Sequence, residues 1–261
     1  MESAALFASQ NQLKTWAKLS QAKYRREEGA FLAEGVKIIG ELFRSRQQIE
    51  AVVTLPEKRN LWKEAAIVET VPIYQTSRAD FKKLSQDKEP EGILAVVRTP
   101  EPPDLAAFLR HADGHILVCH EISNPQNLGA LLRTAWWFGF SGMILGKKSV
   151  DWTHPKVIRA SMGAAFHLTI VADVDLLSAV FEIKKHYRLI GSDVREGDAP
   201  KQVENKTALI LGSESHGLPE DLLNQADLRW RIPGANRAES LSLPQAAAIL
   251  MYEMTKTREQ G

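Results

Sequence analysis

Three short stretches hold residues whose types and spacing could do chemistry, and each lies where an apolar run ends. In Asn124-Pro-Gln-Asn-Leu-Gly-Ala-Leu-Leu-Arg-Thr-Ala135, helical spacing gives Leu128, Leu131, Leu132 and Ala135 one apolar face. Arg133 projects opposite, on the side of Gly129. A guanidinium there stays protonated and could take a phosphate or a developing oxyanion. Asn127 stands where the helix needs an N-cap, and a capping asparagine plus a solvated arginine would look the same. In Leu209-Ile-Leu-Gly-Ser-Glu-Ser-His-Gly-Leu-Pro219, a buried strand runs into Gly212, Glu214 and Gly217. Glycines at such a turn let backbone approach a ligand or take positive φ, and turn geometry alone would use them too. The stretch lacks the Lys-Ser/Thr of a phosphate loop and the glycine spacing of a dinucleotide fingerprint. In Arg231-Ile-Pro-Gly-Ala-Asn-Arg-Ala-Glu-Ser-Leu-Ser-Leu-Pro-Gln245, Ser242 and Gln245 make a capping box, and Pro244 is tolerated in a first turn. Ser240 and Asn236 have no comparable local duty.

Other chemistries are poorly supported. Of the seven histidines only His111 and His115 stand at His-x-x-x-His spacing, and there is no His-Glu-x-x-His grouping, so no metal catalyst is expected. There is no Gly-x-Ser-x-Gly elbow. Cys119 is the single cysteine, which excludes an intramolecular disulfide and suits a reducing cytosol. The first residues lack a basic then apolar leader, and no apolar run nears the ~20 residues of a membrane span, so a cytoplasmic protein is expected. The pair Trp136-Trp137 reads as core or interface packing.

The elements that must position these residues form two groups. Prolines 100, 102 and 103 interrupt any strand or helix, and the expected domains are 1–100 and 104–261. Behind the seam, strands are expected at 116–119, 142–145, 168–171, 188–191, 208–211 and 228–232, with helices between them and a last helix over 243–258. Such alternation predicts a parallel sheet covered on both faces, whose ligands bind at the carboxyl ends of the strands. In front, strands at 49–55, 71–74 and 92–97 interleave with helices near 10–22, 34–46 and 77–86, a small α/β domain.

The charge balance is close to neutral: 33 basic and 32 acidic residues leave +1. Overall this gives no electrostatic reason to expect nucleic acid. Divided at the seam, 16 basic face 13 acidic residues up to position 100, and 17 face 19 beyond it. On a helix through 10–26, Lys14, Lys18 and Arg25 line up opposite Leu13, Trp16 and Ala17, and Lys23 and Arg26 extend the stripe. An ordinary solvated face would also look like this.

In this order and spacing the three stretches resemble the SpoU, or TrmH, family of RNA ribose 2′-O-methyltransferases of the SPOUT superfamily. Residues 127–135 are similar to its first motif, 209–217 to its second, and Ile232-Pro233 followed by Ser240-Leu-Ser-Leu243 to its third. The likeness covers about 114–258 strongly, and 10–98 resemble more weakly the RNA substrate-binding domain many members carry in front. It implies an α/β methyltransferase domain with a trefoil knot, which no spacing could show. It further implies a homodimer and S-adenosylmethionine held against Leu211, Gly212, Ile232, Leu241 and Ser242. By motif match Arg133 is the catalytic arginine, supported by Asn127, Glu214 and Ser240. RNA grip would fall to Lys14, Lys18, Lys23, Arg25 and Arg26, and the two-domain layout favours rRNA over tRNA. The family's usual asparagine is replaced by Ser242, which keeps the cap and shortens the polar reach. That departure sustains one rival, a non-catalytic RNA-binding or ribosome-assembly factor. A nucleotide-binding α/β enzyme using NAD or ATP is ranked last, for want of phosphate fingerprints.

Overall fold

The computed structural model describes residues 6–58, 61, 71–204, 206–235 and 240–256. The chain divides into two units, residues 1–101 with 151–167, and residues 102–150 with 168–261. The first division falls inside the proline seam. Residues 151–167, expected within 104–261, instead pack into the front unit, for reasons visible in its core.

That unit is a five-stranded sheet in the order β1 (Leu6–Phe7), β4 (Ile73–Gln75), β3 (Ile49–Thr54), β5 (Ile93–Arg98), β2 (Ala30–Glu34). β1, β4 and β3 are parallel, and β5 runs antiparallel to both β3 and β2. The period of two in each strand sorts side chains to the two faces. Leu32, Val53, Leu94 and Val96 join Leu13 and Trp16 of α1 (Gln10–Lys18) and Phe81 and Leu84 of α4 (Arg78–Leu84). On β2 the alternate residue, Phe31, meets Trp152 and Phe166 at ring distances of 5.6 and 6.4 Å. α3 (Val36–Arg44) and α7 (Pro155–Ser161) also pack against β2. Arg159 pairs with Asp87 at 2.6 Å and His167 with Glu41 at 3.0 Å. Aromatic and ionic contacts thus draw 151–167 into this unit.

The expected single helix over 10–26 is two. α1 ends at Lys18, and α2 (Ala22–Glu28) starts after a break at 19–21, capped behind by Gly29 in the left-handed region (φ 60°). Leu19 is buried in the break, and the extended backbone of Gln21 interrupts the helical path. β2 was not expected: its signal is the apolar run Ala-Phe-Leu-Ala bracketed by Gly29 and Gly35.

The second unit is a six-stranded, wholly parallel sheet in the order β11 (Leu228–Trp230), β9 (Arg188–Ser192), β10 (Thr207–Leu211), β6 (Ile116–Cys119), β7 (Gly142–Gly146), β8 (Thr169–Val174). One face buries Ile116, Val118, Ile144 and Ile210 with Phe108 and Leu109 of α5 (Leu105–His111), Val180 and Ile183 of α8 (Leu176–His186), and Leu222 and Leu223 of α9 (Glu220–Leu223). Beyond the sheet, α6 (Pro125–Trp137) packs on β7 and on α10 (Leu243–Thr255). Leu128, Leu131, Leu132 and Ala135 of α6 are fully buried, as the helical spacing predicts. α10 ends at Thr255, and positions 257–258 of the expected last helix lie outside the described residues.

Candidate active site

The strand order reverses between β6 and β10: β7 and β8 lie on one side, β9 and β11 on the other. β6 leads into α6 and β10 toward α9, which cover opposite faces of the sheet. Diverging connections of this kind open a crevice at the carboxyl ends of the strands, the usual ligand position in such sheets. The first two motifs leave the sheet at this point, and His120 N–H donates to Leu211 O at 2.9 Å, joining the ends of β6 and β10.

Asn124, not Asn127, caps α6. Its side-chain oxygen accepts from Gln126 N–H at 2.9 Å and Asn127 N–H at 3.4 Å, with Pro125 in the first turn. Pro125 has no N–H to satisfy, so the cap serves the next two residues. Asn127 is thereby released inside the first turn, and its Nδ2 donates to Glu214 Oε1 at 2.9 Å. This amide-to-carboxylate bond joins motif one to motif two across 87 positions of sequence.

Motif two turns back on itself. Ser213 and Gly217 exchange backbone hydrogen bonds at 3.1 and 3.0 Å, and His216 N–H donates to Ser213 Oγ at 3.2 Å. A Cβ on Gly212 would lie 2.0 Å from Gly217 C and 2.2 Å from Leu218 N. The close approach for which Gly212 is needed is therefore made by the chain's own backbone. That tight turn holds Glu214 within bonding distance of Asn127.

Arg133 is exposed on α6 and has no hydrogen-bond or ion-pair partner among the described residues. Motif three follows β11. Ile232 is half-buried, Leu241 is 46% exposed, and Ser240 is exposed without a side-chain bond among the described residues. Ser242 caps α10, and Gln245 Oε1 accepts from its N–H at 3.3 Å and its hydroxyl at 3.0 Å. Asn236 lies outside the described residues. The structure thus brings Asn127 and Glu214 together and leaves Arg133 and Ser240 unengaged. Trp230, last in β11, is fully buried with an indole N–H that has no partner among the described residues.

Burial, then the charge of Glu214, pushes the Cys119 thiol far above its ordinary range, so this cysteine is a packing residue and not a nucleophile. Burial lowers His120. The loops after β6 and β7 add a second group that no motif marks, Glu121 paired with Lys148 at 2.9 Å. Among the described residues no three His, Cys, Asp or Glu side chains gather as a metal site, and no helix is long and apolar enough to cross a membrane.

Of the basic stripe, Lys14, Lys18, Lys23 and Arg26 are exposed. Lys18 and Lys23 stand 5.2 and 5.7 Å from the Tyr24 ring centroid, within cation–π range. Arg25 is not part of that surface. It is 2% exposed, gives Nε and Nη2 to Asp151 Oδ2 at 3.1 and 2.6 Å, and also donates to Thr153 Oγ1 and the carbonyls of Leu19 and Ser20. With its donors spent inside, Arg25 is removed from the RNA-binding set. Burial alone would raise the Asp151 carboxyl, but hydrogen bonds from Thr153 and Arg25 outweigh it and hold it below its ordinary value.

Residues 114–252 match the SpoU rRNA Methylase family and residues 10–95 the MRM3-like substrate binding domain. The chain is 30% identical over 251 residues, 95% of its length and 97% of the relative's, to the 23S rRNA (guanosine(2553)-2′-O)-methyltransferase RlmP of Bacillus subtilis. The SpoU methyltransferase AviRb of Streptomyces viridochromogenes, solved with the cofactor AdoMet, superposes with a TM-score of 0.84 at 25% identity, covering 97% of this chain and all of that one. An AdoMet-bound rRNA methyltransferase from Sinorhizobium meliloti shares the fold, with a TM-score of 0.80 at 22% identity over 95% of this chain and 96% of that one. The match over more than half its length, with a full-length relative at this identity, places the chain in the SpoU rRNA methylase family.

Proposed function

We propose that the chain transfers a methyl group from S-adenosylmethionine to a ribose 2′-hydroxyl of rRNA, with 23S rRNA the first substrate to test. The observation that carries this is the Asn127–Glu214 bond, which unites two motifs at the switch point of a parallel sheet. Cofactor fit rests on the backbone. The N–H groups of Gly212, Ile232 and Leu241 bond to no other described residue, whereas those of Ser213 and Gly217 bond to each other. Donors and carbonyls after two strands and before the last helix suit an adenine edge and an amino-acid moiety, with Leu211 and Ser242 as flanks. When bound, the cofactor supplies a methyl carbon already activated by its sulfonium.

The protein's task is then alignment and the hydroxyl proton. The 2′-oxygen bonds to the methyl carbon as the carbon–sulfur bond breaks, and the hydroxyl proton must leave. Arg133 stays protonated, so it holds the neighbouring phosphate and stabilises charge growing on the 2′-oxygen. The phosphate accepts the proton. Asn127 and Glu214 fix the loop that frames the nucleotide, and Ser240 supplies a hydroxyl from motif three.

The front unit serves as the RNA substrate-binding domain through Lys14, Lys18, Lys23 and Arg26, reading backbone and shape. The C-terminal segment carries the family's knot. A homodimer forms through α6 and α10, whose outer faces expose Trp137 (82%), Tyr252 (53%) and Ile249 (39%). Arg133 stands one turn before Trp137 on that face, so the interface fixes where its guanidinium points. A cytoplasmic location suits an rRNA substrate. Tritiated methyl transfer to rRNA from cells lacking the gene, followed by alkaline hydrolysis, tests the reading. Label in alkali-resistant dinucleotides is expected; no label in rRNA or tRNA, with no cofactor bound by calorimetry, would favour the non-catalytic RNA-binding factor that Ser242 sustains.

A further inference from the structure

Four non-glycine residues among those described have left-handed backbones, and two of them, Glu121 (φ 52°) and Lys148 (φ 62°), form an ion pair with each other. Glu121 follows β6 and Lys148 follows β7, at the same carboxyl edge as the Asn127–Glu214 bond. Lys148 is third in the turn Gly146–Ser149, closed by Ser149 N–H to Gly146 O at 3.2 Å, a place that favours glycine or asparagine. The two loops are fastened together: Ile122 N–H donates to Ser149 Oγ at 3.2 Å, and Val150 N–H to Ile122 O at 2.7 Å. The Lys148 side chain is 77% exposed, whereas that of Glu121 is 36% exposed. Neither residue contributes to the hydrophobic core, so packing does not explain two strained conformations. Two left-handed residues paired with each other at the carboxyl edge of the sheet point to function rather than packing.

We infer that Lys148 is an RNA-positioning residue of the methyltransferase unit, binding a backbone phosphate beside the target nucleotide, and that Glu121 occupies its ammonium until RNA arrives. The inference rests on the RNA methyl-transfer reading above. It adds a phosphate contact within the catalytic unit, whereas the α1–α2 lysines lie in the front unit. The Lys148 hydrogen bond holds the Glu121 carboxyl below its ordinary value, and His120 Nε2 lies 3.9 Å from the same carboxylate. A phosphate entering here would replace one anion by another against the same ammonium.

The test uses the full-length protein with rRNA, measuring methyl-transfer kinetics, cofactor affinity and the salt dependence of RNA binding. Lys148→Ala should raise KM for RNA roughly three- to tenfold, lower the log–log salt slope by about one, and leave cofactor affinity unchanged. Lys148→Arg should restore KM. Glu121→Gly, which the left-handed backbone accepts, should lower KM by freeing the ammonium. Unchanged KM and salt slope in Lys148→Ala, or a raised KM in Glu121→Gly, would overturn the assignment. If the wild type transfers no methyl group, the functional reading fails instead, and the salt slope of RNA binding still decides the role of Lys148.

Discussion

The carboxyl edge of the six-stranded sheet and the helical face of α1–α2 were both visible as patterns in sequence, yet they fared differently on folding. At the sheet edge, residues 127 and 214 meet because β6 and β10 are neighbours whose loops leave at one end. On the helices, five basic residues placed on one cylinder were separated, and Arg25 was drawn inward to Asp151. A parallel sheet delivers its loops to a common edge whatever the details of each helix. A charged stripe depends on one helix staying continuous, and the buried Leu19 breaks it.

The largest expected effect lies at the edge. Arg133→Ala should lower turnover by about 10²–10³-fold, the usual loss when a charge-stabilising donor is removed, with cofactor affinity retained by calorimetry. Full turnover in that variant would put the edge on the same footing as the stripe.

Next comes Arg25→Met, which tests the helices. Removing one partner of a buried pair should cost about 3 kcal/mol of stability, toward the lower end because Asp151 keeps part of its side chain in water. RNA affinity of the folded variant should be unaltered, since Arg25 faces inward. The same pair sets an acid limit. The folded Asp151 carboxyl titrates below its unfolded value, so its contribution is complete above about pH 4 and is lost as pH falls through the folded value. Thermal unfolding followed downward from pH 5 should show this loss in the wild type and a flatter profile in Asp151→Asn.

A smaller effect is expected at Gly212. Its alanine variant forces a Cβ against the Gly217 carbonyl carbon, and should cost about 1–3 kcal/mol and weaken cofactor binding together. Weakened binding without lost stability would mean that the glycine serves the ligand directly. The mildest change is Lys14→Ala with Lys18→Ala, which should lower the salt slope of RNA binding by up to about two, with kcat unaltered.

How much was legible follows from the same contrast. The six strands of the second unit were readable because parallel strands buried on both faces are continuous apolar runs, and Ile116–Cys119 was located to the residue. β2 escaped because its five residues follow a helix without a turn signal beyond Gly29. Asn127 read as a cap because sequence cannot separate two asparagines three positions apart when both could cap, and Pro125 settles it for Asn124. The transfer of 151–167 to the front unit rests on Phe31, Trp152 and Arg25, contacts between residues more than a hundred positions apart. Nor could the pairing of Glu121 with Lys148 be seen, since it depends on two loops meeting above neighbouring strands.

The most direct test of the central claim is to map ribose methylation in 23S rRNA from cells lacking the gene, before and after incubation with the purified protein and S-adenosylmethionine. Primer extension at limiting nucleotide should gain a 2′-O-methyl stop with the wild type and not with Arg133→Ala. An unchanged stop pattern in every rRNA, from a protein that binds the cofactor, would contradict it.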